Sequence, residues 1–393
     1  MTKNKLFLFP ELSKNEHASN HGKGVLSRYG VLPSREIKEL IRRRCIYSEL
    51  QITEEQIQPA TIDLRFGSTA YQVKASFVPG RSPVMHKMQK LIIEKIDLGE
   101  LAIFERGGIY IVPLVESLNL PRGISAKANP RSTTGRLDIF TRLITDYGTE
   151  FEHVPAGYNG QLYAEVVPRT FSIAVRQSVK LNQLRFIRGN RQPSDRIITR
   201  LNRNVPLVYL GRNQLSKPLI KEGLRVSVNL QGYGSSTVVG YKAKRDTPVI
   251  DFQKIDYYDP RDFWEPVLGS KAKGIILNPG DFYILGSKEK IRVPPTVAAE
   301  MVPFDPSLGE FRIHYAGFFD PGFGYGLSGI KGTPAVLEVR AHEVPFLIED
   351  GQMVGRLIYT PLTSHPDKVY GTKIGSSYQR QALTLSKHFK KWR

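Results

Sequence analysis

The sequence predicts a mainly β protein, built as two similar units in tandem with only a few short helices. Three observations support this. The chain has 393 residues, and because one domain usually takes ~100 to 200, two separate cores are expected. The chain repeats itself. Gly108-Ile109-Tyr110-Ile111-Val112, followed by Leu120-Pro121, returns 173 residues later as Asp281-Phe282-Tyr283-Ile284-Leu285, followed by Val293-Pro294. Finally, short apolar or alternating runs such as 110–115 and 161–167 are bounded by Gly, Pro and Asn, the pattern of strands in barrels or sandwiches.

The repeat keeps its register along the chain. Glu165 in Leu162-Tyr163-Ala164-Glu165-Val166 falls on Glu338 in Ala335-Val336-Leu337-Glu338-Val339, and Leu184 falls on Leu357. Upstream, Ile62-Asp63-Leu64-Arg65 with Gly67 echoes Val228-Asn229-Leu230-Gln231 with Gly232. The expected organisation is an N-terminal extension over 1–22, a first unit with a basic connector over 23–204, and a second unit over 205–393. The clearest helix opens after Pro33-Ser34 and sets Ile37, Leu40 and Ile41 on one face, with Cys45 a turn further on.

Composition narrows the class. At 40% hydrophobic and 24% charged residues, the chain is neither disordered nor fibrous. Its single cysteine, Cys45, permits no disulfide framework and no Cys-pair zinc site, and is expected to be buried and inert. The run Leu6-Phe7-Leu8-Phe9 is too short for a signal-peptide core, and no apolar stretch approaches the ~20 residues of a membrane span. A cytoplasmic protein without membrane partners is expected. A formal charge of +19 attracts polyanions, either nucleic acid or a nucleoside triphosphate. The densest basic stretch, 185–225, with Arg188, Arg191, Arg196, Arg200, Arg203 and Arg212, lacks interleaved aromatic stacking platforms. It is read first as a solvated connector, and nucleic acid is the less favoured partner.

Two segments carry chemistry. In Arg131-Ser132-Thr133-Thr134-Gly135-Arg136-Leu137, two cationic forks flank three hydroxyls, a set suited to phosphate oxygens, although a capped helix start would use similar residues. In Gly317-Phe318-Phe319-Asp320-Pro321-Gly322-Phe323, a carboxylate is locked beside a Pro-Gly turn ahead of the Glu338 strand. Asp320 could accept a hydrogen bond from a sugar hydroxyl; alone, Asp-Pro-Gly is simply a good turn.

Together these segments resemble the dCTP deaminase and dUTPase superfamily, whose phosphate motif reads Arg-Ser-Ser and whose nucleoside motif reads Ile-Asp-Pro-Gly. Gln58-Pro59-Ala60-Thr61-Ile62-Asp63-Leu64-Arg65-Phe66-Gly67 is similar to that family's opening motif, and Leu181-Asn182-Gln183-Leu184 to the strand whose Gln approaches the nucleotide. Tyr378, Gln381 and Ser386 match the spacing of its mobile tail to within one residue. The similarity runs from Gly30 onward and is greatest to the double-length bacterial dCTP deaminases. It implies two dUTPase-like distorted β-barrels, a dCTP or dUTP substrate, and a homo-oligomer as one possible assembly.

The copies have decayed in complementary ways. The first keeps the phosphate motif but offers Pro155 in Val154-Pro155-Ala156-Gly157 where Asp is expected. The second keeps Asp320 but reads Phe304-Asp305-Pro306-Ser307-Leu308 in the phosphate segment, where Asp305 would repel a triphosphate; Arg356 stands in place of Gln183. In the related homotrimers, one site draws these motifs from neighbouring subunits. The resemblance therefore implies one good site across the two halves. The first half would give Arg131, Ser132, Thr133, Thr134, Arg136 and Gln183; the second would give Asp320, Gly322, Glu338 and a closing tail with Tyr378, Gln381 and Lys387.

Zinc deaminases need a His-x-Glu and Cys-x-x-Cys signature, which this sequence lacks, so zinc-independent deamination of dCTP to dUTP and ammonia is expected. Because its position resembles that of the deaminases' catalytic Glu, the resemblance implies that Glu338 is the proton shuttle, with Ser132 and Arg136 orienting the water; Glu165, in the same register of the first copy, is the rival carboxylate. Mg²⁺ is expected to accompany the triphosphate. A dUTPase, an enzyme performing both steps, and a non-catalytic nucleotide- or nucleic-acid-binding protein are the alternatives. Plain dUTPases carry an apolar residue at the Glu338 position.

Overall fold

The structure is a computed structural model that describes residues 29–189, 195–211, 213–269, 274–303, 311–313, 317–325, 330–341, 343–371 and 383–392. Among these residues most regular structure is strand, as the turn-bounded apolar runs predict. In the first half, one sheet runs in the order Gly30–Val31, Asn182–Arg188, Ile124–Pro130, His153–Val154, with Ile62–Leu64 also pairing with Asn182–Arg188. A second runs Ile92–Asp97, Thr69–Val73, Ile109–Asn119, Asn159–Pro168, Ile139–Thr145. The expected helix is present as Ser34–Arg42 and buries Ile37 and Leu40; Cys45 beyond it is buried.

The second half repeats the pairing. Ile111 faces Glu165 in the first half and Ile284 faces Glu338 in the second, which is the same cross-strand pair displaced by the repeat length. Likewise Arg185 lies opposite Lys127, and Ile358 opposite Glu300. Lys127 and Glu300 thus hold equivalent places, and they form an ion pair with each other between the halves.

The strand Thr333–Ala341 shows how the halves join. Because side chains alternate across a strand, Ala335, Leu337, Val339 and Ala341 fill the second half's own core, while Glu338 and Arg340 point the other way. On the neighbouring strand, Phe282 and Ile284 also point outward, and they belong to the core of the first half together with Tyr241, Phe263 and Trp264. The outer face of the second barrel is therefore roofed by the first. The equivalent face of the first half has a different cover. There Ile111, Ile144 and Tyr163 are packed by Val73, Phe77, Val84 and Met88, from the excursion that includes the helix Val84–Met88.

The C-terminal segment 383–392 crosses back to this junction. Phe389 packs edge-on against Phe263 and Trp264, Trp392 lies 5.0 Å from Tyr241, and Lys390 N donates to Tyr258 O at 2.8 Å. A parallel ladder between Ile173–Val175 and Ile250–Asp251 adds a strand of the second half to a first-half sheet. The basic stretch is not uniformly solvated, in contrast to the sequence expectation. Arg196, Arg200 and Arg203 lie on the helix Asp195–Asn204, but Arg185 is only 3% exposed, within a strand. Arg191 and Arg212 lie outside the described residues, as do 1–22 and the segment with Asp305.

Candidate active site

A cavity of about 1030 Å³ opens between the halves. The first half lines it with Arg131, Ser132, Thr133, Arg136 and Gln183, and the second with Asp320, Glu338 and Lys387.

The phosphate-motif segment is shaped by its own sequence. Ser, Thr and Gly are weak helix formers, and Ser132–Gly135 makes a single turn that ends with Asp138 in the left-handed region at φ 54°. The turn is fastened to the strand Asn182–Arg188 and its approach. Arg131 N donates to Leu181 O at 2.8 Å, and Thr134 Oγ1 donates to the same carbonyl at 2.9 Å. Thr134 thus faces the protein rather than the cavity, whereas Ser132 and Thr133 line it. Arg136 donates through Nη1 to Thr384 O at 2.9 Å, and Ser386 Oγ donates to Thr133 O at 3.1 Å, so the C-terminal segment braces both ends of the turn.

Asp63 lies beneath Arg131, with Nε to Oδ1 at 3.2 Å. A bulge on the strand Ile109–Asn119 turns Glu116 inward, where it accepts from Arg65 N at 2.7 Å and from Gln56 Nε2 at 2.9 Å. Gln56 in turn donates to Asp63 O, which steadies the opening motif. Burial pushes the Asp63 carboxyl above its usual range, while Arg131, Lys180 and Lys387 pull the other way. Burial lowers the Lys387 ammonium, and Arg131 and Lys180 lower it further. Arg131, Lys180 and Lys387 all border the cavity, so it has a cationic end.

Two buried carboxyls, Glu338 and Asp320, also line the cavity. Glu338 is 6% exposed, and burial raises its carboxyl to about 8 against the pull of Arg136, with Asp138 adding to the rise. Asp320 is raised to about 6 by burial; Arg185 lowers it and Asp63 raises it. Arg185 reaches it from the first half, Nη2 to Oδ1 at 3.3 Å. Behind Glu338, Arg340 forms a buried ion pair with Asp138 of the first half and donates to Gly280 O at 2.8 Å.

Several expected residues fall elsewhere. Glu165 is fully buried, does not border the cavity, and accepts from Arg142 Nε at 2.9 Å beneath the first half's own excursion. Gly322 sits at φ 96°, where a Cβ would lie 2.2 Å from Val369 Cγ1; it is needed for a close chain crossing, not for a cavity contact. Gln183 lines the cavity with its amide held by Thr61 and Pro130. Tyr378 and Gln381 lie outside the described residues. The sequence reading missed Lys180, Arg185, Asp138 and Arg340. Arg185 had a signal, since it follows Gln183 by two on one strand face.

Residues 28–190 match the family model of the 2′-deoxycytidine 5′-triphosphate deaminase N-terminal domain, and residues 194–389 match that of its C-terminal domain. A crystal structure of 2′-deoxycytidine 5′-triphosphate deaminase from Agrobacterium tumefaciens is 46% identical, with a TM-score of 0.83 over 89% of this chain and 100% of that one. The chain belongs to the dCTP deaminase family. Curated family members named "dCTP deaminase, dUMP-forming" are also similar. That of Coprothermobacter proteolyticus is 31% identical over 35% of this chain and 69% of its own length. That of Halobacterium salinarum is 35% identical over 27% of this chain and 52% of its own, so the match spans about half of that relative. These family members are enzymes, and a dUTPase-like β fold in two units accommodates both family models along this one chain.

Proposed function

We propose that this family member deaminates dCTP hydrolytically to dUTP and ammonia, at a single site shared by its two halves. The observation that carries this reading is that Glu338 borders the same cavity as Arg131, Ser132 and Arg136. The cationic end suits a triphosphate, whose oxygens would draw bidentate hydrogen bonds from Arg131 and ion pairs from Lys180 and Lys387. Among the described residues, no three His, Cys, Asp or Glu side chains are grouped to hold an ion alone. This donor set fits Mg²⁺ carried by phosphate oxygens and water, where it would screen phosphate charge.

Glu338, its carboxyl raised to about 8 by burial, keeps its proton at neutral pH. It can deliver that proton to N3 of cytosine, and the resulting carboxylate then takes a proton from water as the water attacks C4. The same proton passes to the amino group, which leaves as ammonia; the C4 hydroxyl returns a proton to Glu338 as the carbonyl forms. Water is consumed, one C–N bond breaks and one C–O bond forms, and Glu338 ends as it began. Arg136, which borders the same cavity, would orient the water and steady charge near it. Such general acid–base action is typically worth ~10² to 10⁴-fold.

The test is ammonia release from dCTP with Mg²⁺. Glu338→Gln is expected to lower it by about 10² to 10⁴-fold, and Glu165→Gln to leave most of it. The reverse pattern would transfer the role to Glu165. A second reading, hydrolysis onward to dUMP, is favoured by the names of the curated relatives; stoichiometric pyrophosphate alongside ammonia would establish it. We further propose that the protein acts in the cytoplasm without zinc.

A further inference from the structure

On the reading that the cavity takes a deoxynucleotide, we infer that Arg185 is a positioning residue that fixes Asp320 as a hydrogen-bond acceptor and thereby sets selectivity for the sugar hydroxyl. The guanidinium is buried between the halves, and both of its terminal nitrogens have partners. Nη1 donates to Ala299 O at 2.8 Å, and Nη2 donates to Phe319 O at 3.4 Å and to Asp320 Oδ1 at 3.3 Å. Its Cζ lies 4.0 Å from the centroid of the Phe318 ring. One planar cation thus ties together the two residues preceding Asp320, Asp320 itself and the adjacent strand. Lysine, with a point charge, cannot span these partners.

Arg185 touches Asp320 through a single carboxylate oxygen, and Asp320 still borders the cavity. The carboxyl is 11% exposed, so its remaining acceptor capacity is directed at whatever fills the cavity. A protonated carboxyl would offer a donor instead and would lose selectivity for a hydroxyl. The charged groups bearing on this arrangement are Arg185 on the strand Asn182–Arg188, Asp63 on Ile62–Leu64, and Glu300 on Val297–Pro303, which faces Arg185. Burial alone drives Asp320 toward its neutral form, and Arg185 opposes this.

The repeat supplies independent support. Ile358 occupies the place equivalent to Arg185, opposite Glu300 as Arg185 is opposite Lys127. Pro155 stands where the first copy would need its Asp. Cation and carboxylate are therefore both absent from the reciprocal pairing, and both present in the one that lines the cavity.

The experiment compares dCTP with 2′,3′-dideoxy-CTP in wild type, Arg185→Gln and Arg185→Lys, each checked for a native melting profile. Wild type should prefer dCTP in kcat/KM, and its KM for dCTP should rise as pH falls through about 6, where Asp320 takes up a proton. Arg185→Gln should raise the dCTP KM more than it lowers kcat, narrow the preference by about tenfold, the worth of a hydrogen bond to a charged group, and move the KM rise to higher pH. If Arg185→Gln does not fold, Arg185→Lys decides, with a narrowed preference expected. An unchanged preference and pH profile in a folded variant overturns the inference while leaving the deaminase reading intact. Absence of ammonia from wild type with either nucleotide removes that reading, and the inference with it.

Discussion

Glu338 keeps a proton that an exposed glutamate would lose, and that difference is itself a source of pH-dependent stability. The unfolded chain releases this proton near the ordinary 4.5, whereas the folded chain holds it to about 8. Between those values the folded state binds the extra proton, so raising the pH weakens folding until the carboxyl ionises in both states. Glu338→Gln cannot ionise. It should melt close to wild type at the acid end of this window and above wild type at the alkaline end, as read by calorimetry across pH. Coincident curves would mean that Glu338 is not buried in solution. Most cavity residues were legible in the sequence because they sit in short contiguous strings: Arg131 to Arg136 is one turn, and Asp320 to Gly322 is another. Arg185 stood at the start of a basic run, and although it follows Gln183 by two, its contact with Asp320, 135 residues away, is a matter of tertiary packing. Glu165 was a fair rival in register, and its cover of Phe77, Val84 and Met88 is a matter of tertiary packing that its own strand does not encode.

Of the expected closing tail, Tyr378 and Gln381 lie outside the described residues, and the described part is 383–392. Lys387 does border the cavity, but its neighbours are anchored. Ser386 Oγ lies 3.0 Å from His388 Nδ1, His388 Nε2 lies 3.2 Å from Phe252 O, and Phe389 enters an aromatic cluster. The alternation Leu383, Leu385, then Phe389 was visible in the sequence, but ten residues near a terminus give no periodic signal strong enough to say where they dock. Truncating the anchor by Phe389→Ala should cost about 3 to 5 kcal/mol, the usual range for a buried aromatic, and should depress activity because Thr384 and Leu385 brace Arg136. Melting and ammonia release together test this; a stable, fully active variant would contradict it. Burial lowers His388 to about 4, so it stays neutral when folded and its share of stability is lost as pH falls from about 6.5 toward 4. Proteolytic cutting of this segment should accelerate over that interval.

Across the whole molecule, the two units share a core instead of merely touching. Phe282, Ile284 and Trp264 of the second half pack into the first, and Arg340 meets Asp138 over a separation of 202 residues. Thermal unfolding should therefore show one transition. Arg340→Met should lower stability by about 3 to 5 kcal/mol by stranding Asp138, and Asp138→Asn added to it should restore part of the loss. Two separate transitions in calorimetry, or additive losses, would contradict this. The repeat and the β class were legible because strand registers are local and recur at a fixed spacing; which faces meet was not, since it depends on pairs such as Asp138 and Arg340 that the repeat does not duplicate. The contact between Lys127 and Glu300 has a further consequence. Two unmodified copies of either unit, docked in this way, would set lysine against lysine or glutamate against glutamate. By carrying opposite signs at one shared position, each unit favours its sibling and disfavours its own twin, so the pairing of unlike halves is preferred over the pairing of like ones.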